Sequence, residues 1–345
     1  MFTVLVTGGT GYIGSHTVVQ LIERGFNVII VDNLSNSDYR VVKLIQRITG
    51  KQPKFYKIDL CNYYDVKKVF EENKIDAILH FAAFKSVPES WEKPLKYFRN
   101  NLDSLINLLD LSVKYRVESF IFSSSCAVYG MPNYLPVDER HPFNEPLSPY
   151  ARTKQIGEYI LQDTARAYPN LNVISLRYFN PVGAHPSGLL GDMPRNNANL
   201  MTIIIEVALG IRDFLYIYGN DYDTPDGTGI RDYIHIMDVA DAHIAALERL
   251  VYHKYEDNYE YYNIGIGHGI SVLEMVTAFE KYTGVKIPYK FVERRPGDVD
   301  MIYASTSLAE RKLKWKAKYQ LKDMILTAWN WARNLNKVFY EVSSN

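Results

Sequence analysis

Cysteine is scarce in this chain of 345 residues, where Cys61 and Cys126 are the only two. Two thiols build neither a disulfide framework nor a metal-ligand spacing, so a reducing compartment and no metal are expected. Net charge of one sign is also missing, because 39 Lys and Arg balance 39 Asp and Glu. Without a long-range field nothing favours nucleic acid or an anionic membrane, and partners must be recognised locally. No apolar run reaches the roughly 18 residues that span a bilayer. The opening "MFTVLVTGGTG" passes from a short apolar run straight into glycines, without the basic start and cleavage site of a secretory signal. A soluble, cytoplasmic protein is expected.

What is present is a 47% hydrophobic, 23% charged composition, enough for a large core in one big domain or two smaller ones. "FTVLV" (2–6) and "NVIIVD" (27–32) are β-branched runs separated by a helical segment from Gly14 to Arg24 that Gly25 closes. Further strands are expected at 54–59, 77–82, 119–125 and 172–179, with amphipathic helices at 65–73, 100–116 and 153–168. Continuous apolar strands alternating with helices predict a doubly wound Rossmann parallel sheet covered on both faces. From residue 180 the texture changes to "NPVGAHPSGLLGDMPRNNAN", a long loop of the kind that carries function, followed by mixed α/β segments. The expected organisation is a nucleotide-binding domain over 1–179 and a smaller α/β substrate domain over 180–345, with an approximate boundary that the chain can recross.

In "VTGGTGYIGSH", Gly8, Gly9, Gly11 and Gly14 stand at a strand-to-helix turn. Glycines there let a pyrophosphate reach the amides of a helix N-terminus, which the helix dipole also favours. Asp32 ends the next strand, where a ribose-binding acid belongs, and its carboxylate would repel a 2'-phosphate. NAD is therefore expected rather than NADP.

"SPYARTKQ" (148–155) places Tyr150 four positions before Lys154, on one face of a helix that Ser148 can cap and Pro149 can start. With 27 tyrosines in the chain the spacing also arises by chance, as in "YDVKK" at 64–68. "SSSCAVYG" (123–130) ends the strand before that helix with three hydroxyls, which either satisfy a turn or converge with Tyr150 and Lys154 above a cofactor.

Together, "TGGTGYIG", "DNLSNS", "HFAAFKSVPES", "FSSSCAVYG", "SPYARTK", "RYFNPVGAHPSG", "GTGIRDYIHIMDVADAH" and "RRPGD" resemble the UDP-glucose 4-epimerase family of the extended short-chain dehydrogenase/reductase superfamily, over nearly the whole chain. The resemblance implies that NAD lies along Gly8, Gly11, Tyr12, Ile13 and Gly14. Its adenosine would stand near Asp32, Asn33, Leu34, Asn36 and Ser37, with Asp59 and Leu60 at the adenine. Phe81, Ala82, Ala83, Lys85, Asn100, Ser125, Tyr150, Lys154 and Phe179 would follow toward the nicotinamide. Ala83 replaces a family glycine. For the UDP-sugar the resemblance implies Lys85, Ser125, Tyr150, Tyr178, Asn180, Asn199, Leu200, Tyr216, Ile217, Tyr218, Arg231, Arg295 and Asp298. Without it, Arg231 and Arg295 read as surface charges and His235 as structural.

The implied reaction is reversible C4 epimerisation of UDP-glucose and UDP-galactose through a 4-keto sugar. Tyr150 would be the base, with Ser125 orienting the C4 hydroxyl. A tyrosine with its reference pKa of about 10 is a poor base, so Lys154 and the nicotinamide charge are expected to lower it. Ile302 falls at the family position that limits 2-acetamido sugars, which favours UDP-glucose and UDP-galactose alone. A homodimer through the helices at 100–116 and 153–168 is also implied. Rival readings are a 4,6-dehydratase, a UDP-glucuronate-modifying enzyme, or a non-catalytic NAD-binding sensor. Cys126-Ala127 stands where a dehydratase carries an acid pair, and a sensor needs no Ser-Tyr-Lys set.

Overall fold

The computed structural model describes residues 2–193, 199–295 and 297–343. Its centre is a seven-stranded sheet made by β1 (Thr3–Thr7), β2 (Asn27–Asp32), β3 (Lys54–Lys57), β4 (Ala77–His80), β5 (Ser119–Ser125), β6 (Asn172–Tyr178) and the strand Tyr259–Ile264. Every pairing is parallel, and the order runs from Tyr259–Ile264 through β6, β5, β4, β1 and β2 to β3. The strand order reverses beside β1, and open sheets of this kind bind ligands at the strand C-termini near such a reversal.

Alternation along β1 explains why both faces are covered. Val4 and Val6 join one buried cluster with the helices Tyr12–Glu23 and Ile236–Val251. Leu5 points the other way, into a cluster with the helices Tyr63–Glu72, Ser104–Tyr115 and Pro149–Ala167. Each fully buried Val or Leu contributes about 1.5–3 kcal/mol, so a strand apolar on both sides is stable only between two helix layers.

The α/β doubly wound sheet is as expected from the sequence. Short helices at Arg40–Thr49, Val87–Glu92 and Pro94–Phe98, and a π-turn at Arg99–Asp103, were not legible in it. From residue 180 the chain gives four short strands, Asn180–Val182, Leu215–Tyr218, Ile230–Arg231 and Tyr233–His235, to smaller sheets before Tyr259–Ile264 returns to the large sheet beside β6. The second lobe has its own core around Ile204, Leu215, Ile217, Met275, Phe279, Met324 and Ile325. It carries the parallel pair Leu215–Tyr218 with Tyr289–Val292, and the strand Ile230–Arg231 flanked by Ile270–Ser271 and Met301–Ile302. Among the described residues no helix is long and apolar enough to cross a membrane.

Candidate functional site

A narrow groove of about 190 Å³ runs along the C-terminal ends of β1, β2 and β4. Gly8 has φ +66°, and a side-chain carbon there would stand 2.8 Å from the Ala82 amide nitrogen. At Gly14 such a carbon would meet the Gly8 carbonyl oxygen at 2.3 Å. The chain thus comes close to itself only because these positions are bare. Gly11 caps the helix Tyr12–Glu23 without a side-chain acceptor, so the first-turn amides face the groove uncapped by any side chain.

Asp32 ends β2 and is almost fully buried. One carboxylate oxygen accepts from the Leu34 amide at 2.9 Å and the Ser37 hydroxyl at 2.9 Å, and the other accepts from the Thr10 amide at 3.2 Å. Three bonds leave acceptor capacity on a carboxylate, which has about four lone-pair sites. Asn33, Asn36, Ser37, Asp59, Leu60, Phe81, Ala82, Ala83, Lys85 and Asn100 also line this groove. Leu34 does not; with φ +61° it turns the backbone around the Asp32 carboxylate instead.

Ser148 caps the helix Pro149–Ala167, accepting from the Ala151 amide at 3.1 Å, with Pro149 at its first position. Tyr150 and Lys154 lie one turn apart on that helix, facing the end of β5. Lys154 is buried, donates to the Ser123 carbonyl at 2.6 Å, and stands 4.7 Å over the Phe122 ring. Burial lowers its pKa to about 8, opposed by the Glu158 charge. Tyr150 is pushed up to about 12 by burial, opposed by a hydrogen bond with Ser125. Lys154 is not among the groups acting on this phenol in the chain alone, so desolvation wins where lysine was expected to dominate.

A larger cleft of about 610 Å³ opens from the same point toward the second lobe. That size suits a small-molecule ligand, for which clefts of roughly 300–1,000 Å³ are usual. Its walls include Ser125, Phe179, Asn180, Asn199, Leu200, Tyr216, Ile217, Tyr218, Arg231, Arg295 and Asp298. Arg231 pairs with Asp298, and Arg295 stacks 3.8 Å over the Tyr218 ring. Tyr12, Ile13, Lys85, Tyr150, Tyr178 and Asp192 border both clefts. Tyr178 is also hydrogen-bonded to the Ser123 hydroxyl.

Ile302 is buried in a cluster with Val128, Tyr129, Phe179 and Val299 and is not part of the cleft lining. His235 caps a helix, accepting from the Met237 amide at 3.1 Å, and stacks 4.1 Å from Tyr319, a structural role. Residues 194–198 and Pro296 lie outside the described residues, and with them the end of the "NPVG" loop and the middle of "RRPGD". Ser123, Ser104, Ala328 and Trp331 line the clefts without having been foreseen. Ser123 was within reach of the serine run; the C-terminal helix that supplies Ala328 and Trp331 has no local mark of a site.

Residues 5–327 match the family model described as GDP-mannose 4,6 dehydratase. UDP-glucose 4-epimerase 2 of Arabidopsis thaliana is 48% identical over 99% of this chain and 98% of its own length. The UDP-glucose 4-epimerase of Yersinia enterocolitica is 46% identical over 96% of this chain and 97% of that one. The chain belongs to the UDP-glucose 4-epimerase family. Solved epimerase structures have the same fold. That from Stenotrophomonas maltophila, with bound NAD and formylated UDP-arabinopyranose, matches with a TM-score of 0.94 at 45% identity, covering 98% of this chain and 99% of that one. That from Bifidobacterium longum, in complex with NAD+ and UDP, matches with a TM-score of 0.93 at 44% identity, covering 98% of this chain and all of that one.

Proposed function

We propose that this chain interconverts UDP-glucose and UDP-galactose by inverting C4 of the sugar, with NAD held in the glycine groove. One observation carries the reading: Tyr150, bonded to Ser125 and one turn from Lys154, stands where a dinucleotide groove meets a cleft large enough for a nucleotide sugar. The bare Gly8–Gly14 cradle and the uncapped helix N-terminus fit a pyrophosphate, and Asp32 fits a ribose hydroxyl. NAD, when bound, supplies the acceptor and donor of the C4 hydride.

The protein's own part is acid–base and positional. Ser125 holds the C4 hydroxyl toward Tyr150, whose phenolate oxygen takes the hydroxyl proton and later returns it. In the chain alone burial keeps Tyr150 protonated. A cation brought into the groove acts against that burial and favours the phenolate, so the base forms only in the loaded site. Lys154 sits on the Ser123 carbonyl, with its ammonium directed at the groove floor. Arg231 and Arg295 suit the diphosphate, because guanidinium forks donate paired charge-assisted bonds. Tyr12, Ile13 and Tyr178 shield the junction from water.

A dehydratase needs carboxyl groups after Ser125, and Cys126 and Ala127 supply none. Exposed Trp91, Leu95, Ile106 and Tyr159, on or beside the helices at 100–116 and 153–168, suit a homodimer interface. The free thiols of Cys61 and Cys126 suit a reducing, cytoplasmic setting. The test is incubation of the purified protein with UDP-galactose and no added NAD. UDP-glucose is the expected product, and its absence even after NAD is supplied refutes the reading.

A further inference from the structure

Behind the Tyr150–Lys154 turn lies a buried charge cluster that the reaction itself does not use. Glu158, one turn beyond Lys154, is 2% exposed, and its partner Arg177 on β6 is 4% exposed. Arg177 donates to the Glu158 carboxylate at 2.6, 2.9 and 3.2 Å. The same carboxylate accepts from the Ser124 hydroxyl at 2.5 Å and from the Tyr259 phenol at 2.9 Å. One side chain of the Tyr150 helix is thereby tied to β5, β6 and the strand Tyr259–Ile264. Arg177 is held in turn by the Tyr129 phenol at 3.1 Å and stacks 4.3 Å over Tyr261. Helix and sheet also approach closely here, since a side-chain carbon at the adjacent Gly157 would stand 3.0 Å from the Phe122 ring.

A buried ion pair is costly to desolvate and is a weak source of stability, so its use is to be sought in what it orients. Ser124 lies between Ser123, which receives Lys154, and Ser125, which bonds Tyr150, and alternation sends its side chain to the opposite face. Fixing Ser124 to Glu158 therefore sets the height of the helix against both reactive neighbours. We propose that Glu158 is a positioning residue of the epimerase site, holding the Tyr150–Lys154 turn in register with the end of β5. This inference rests on the epimerase reading above.

The titratable groups around the two charges are His80 on β4, Tyr150 on the same helix, Tyr178 and Arg177 on β6, Tyr129 and Glu139 beyond Arg177, and Tyr259. Glu158 is the acid that favours the charged form of Lys154. Removing its charge leaves Arg177 unbalanced, so Lys154 loses its proton at lower pH.

Glu158→Gln preserves the shape and removes the charge. The expected result is a chain that folds and retains NAD, with kcat for UDP-galactose lowered about 10- to 100-fold and KM little changed, the loss expected of a misplaced catalytic turn. Its alkaline limb of kcat against pH is expected to move to lower pH, a displacement that a merely structural role does not produce. Ser124→Ala creates no charge and is expected to lower kcat with the alkaline limb unmoved; it decides the question if Glu158→Gln does not fold. Variants with kcat close to that of the parent chain, or a Glu158→Gln loss equal at every pH, overturn the proposal. A parent chain inactive on UDP-galactose overturns the epimerase reading and this inference with it.

Discussion

Lys154 donates to the Ser123 carbonyl at 2.6 Å, so the helix that carries Tyr150 is tethered to the strand that ends at Ser125. The contact brings an ammonium group to the floor of the dinucleotide groove. Lys154→Met removes that charge with little change in volume. Turnover is expected to fall about 100-fold or more, since the lysine supports the acid–base step. Steady-state kinetics on UDP-galactose check this; turnover within a few-fold of the parent chain would remove Lys154 from the mechanism.

Tyr150→Phe deletes only the phenol oxygen and its bond with Ser125. Epimerisation is expected to slow by about 10²–10⁴-fold, the usual worth of a positioned general base. The glycine cradle is untouched, so NAD content, read by chromatography after denaturing the protein, is expected to stay near that of the parent chain.

Gly14→Ala places a carbon 2.3 Å from the Gly8 carbonyl and 3.0 Å from the Gly9 Cα, both backbone. Neither neighbour can rotate away, so the turn must open, at a cost of about 1–3 kcal/mol. The expected outcome is a lower melting temperature and protein purified with little NAD. Full NAD content would place the dinucleotide elsewhere.

His16, His80 and His235 are lowered by burial to about 3, and His243 to about 4. Their folded values lie below the unfolded 6.5, so the stability they preserve is present above pH 6.5 and is lost as pH falls toward those values. Melting temperature is expected to drop on acidification below 6.5. His243 has an unpartnered Nε2 and packs beside Phe81 and Tyr178 with ring centres 4.6 and 5.8 Å away. His243→Leu is therefore expected to flatten the acid slope by about 1–2 kcal/mol at pH 5; an unchanged slope would show that this histidine binds its proton equally well in the folded and unfolded chain.

Ile302 lies in a buried cluster beside Phe179, behind the cleft wall. The parent chain is expected to turn over UDP-N-acetylglucosamine slowly or not at all, and comparable rates on both sugar pairs would refute this. Ile302→Ala leaves a void among Val128, Tyr129 and Val299 and is expected to cost about 2–4 kcal/mol in urea unfolding.

Local chemistry made much of the site legible. The glycine turn, Asp32 after the next strand, the capped Tyr150 helix and the serine-ended strand are all short-range patterns, each with a physical cause within a few residues. Strand β5 runs over Ser119–Ser125, the span its apolar run marks out in the sequence. Leu34 shows the limit of that reasoning, since its neighbours line the groove while its own backbone turns away at φ +61°.

The sequence by itself determined the alternation of strand and helix, the dinucleotide turn and the pairing of Tyr150 with Lys154, because those depend on backbone geometry and side-chain period. Tertiary structure alone decided that Tyr259–Ile264 returns to the sheet, that Glu158 meets Arg177 and that Trp331 reaches the sugar cleft. It also decided the protonation of Tyr150, because desolvation depends on everything packed around the phenol and no residue spacing records it.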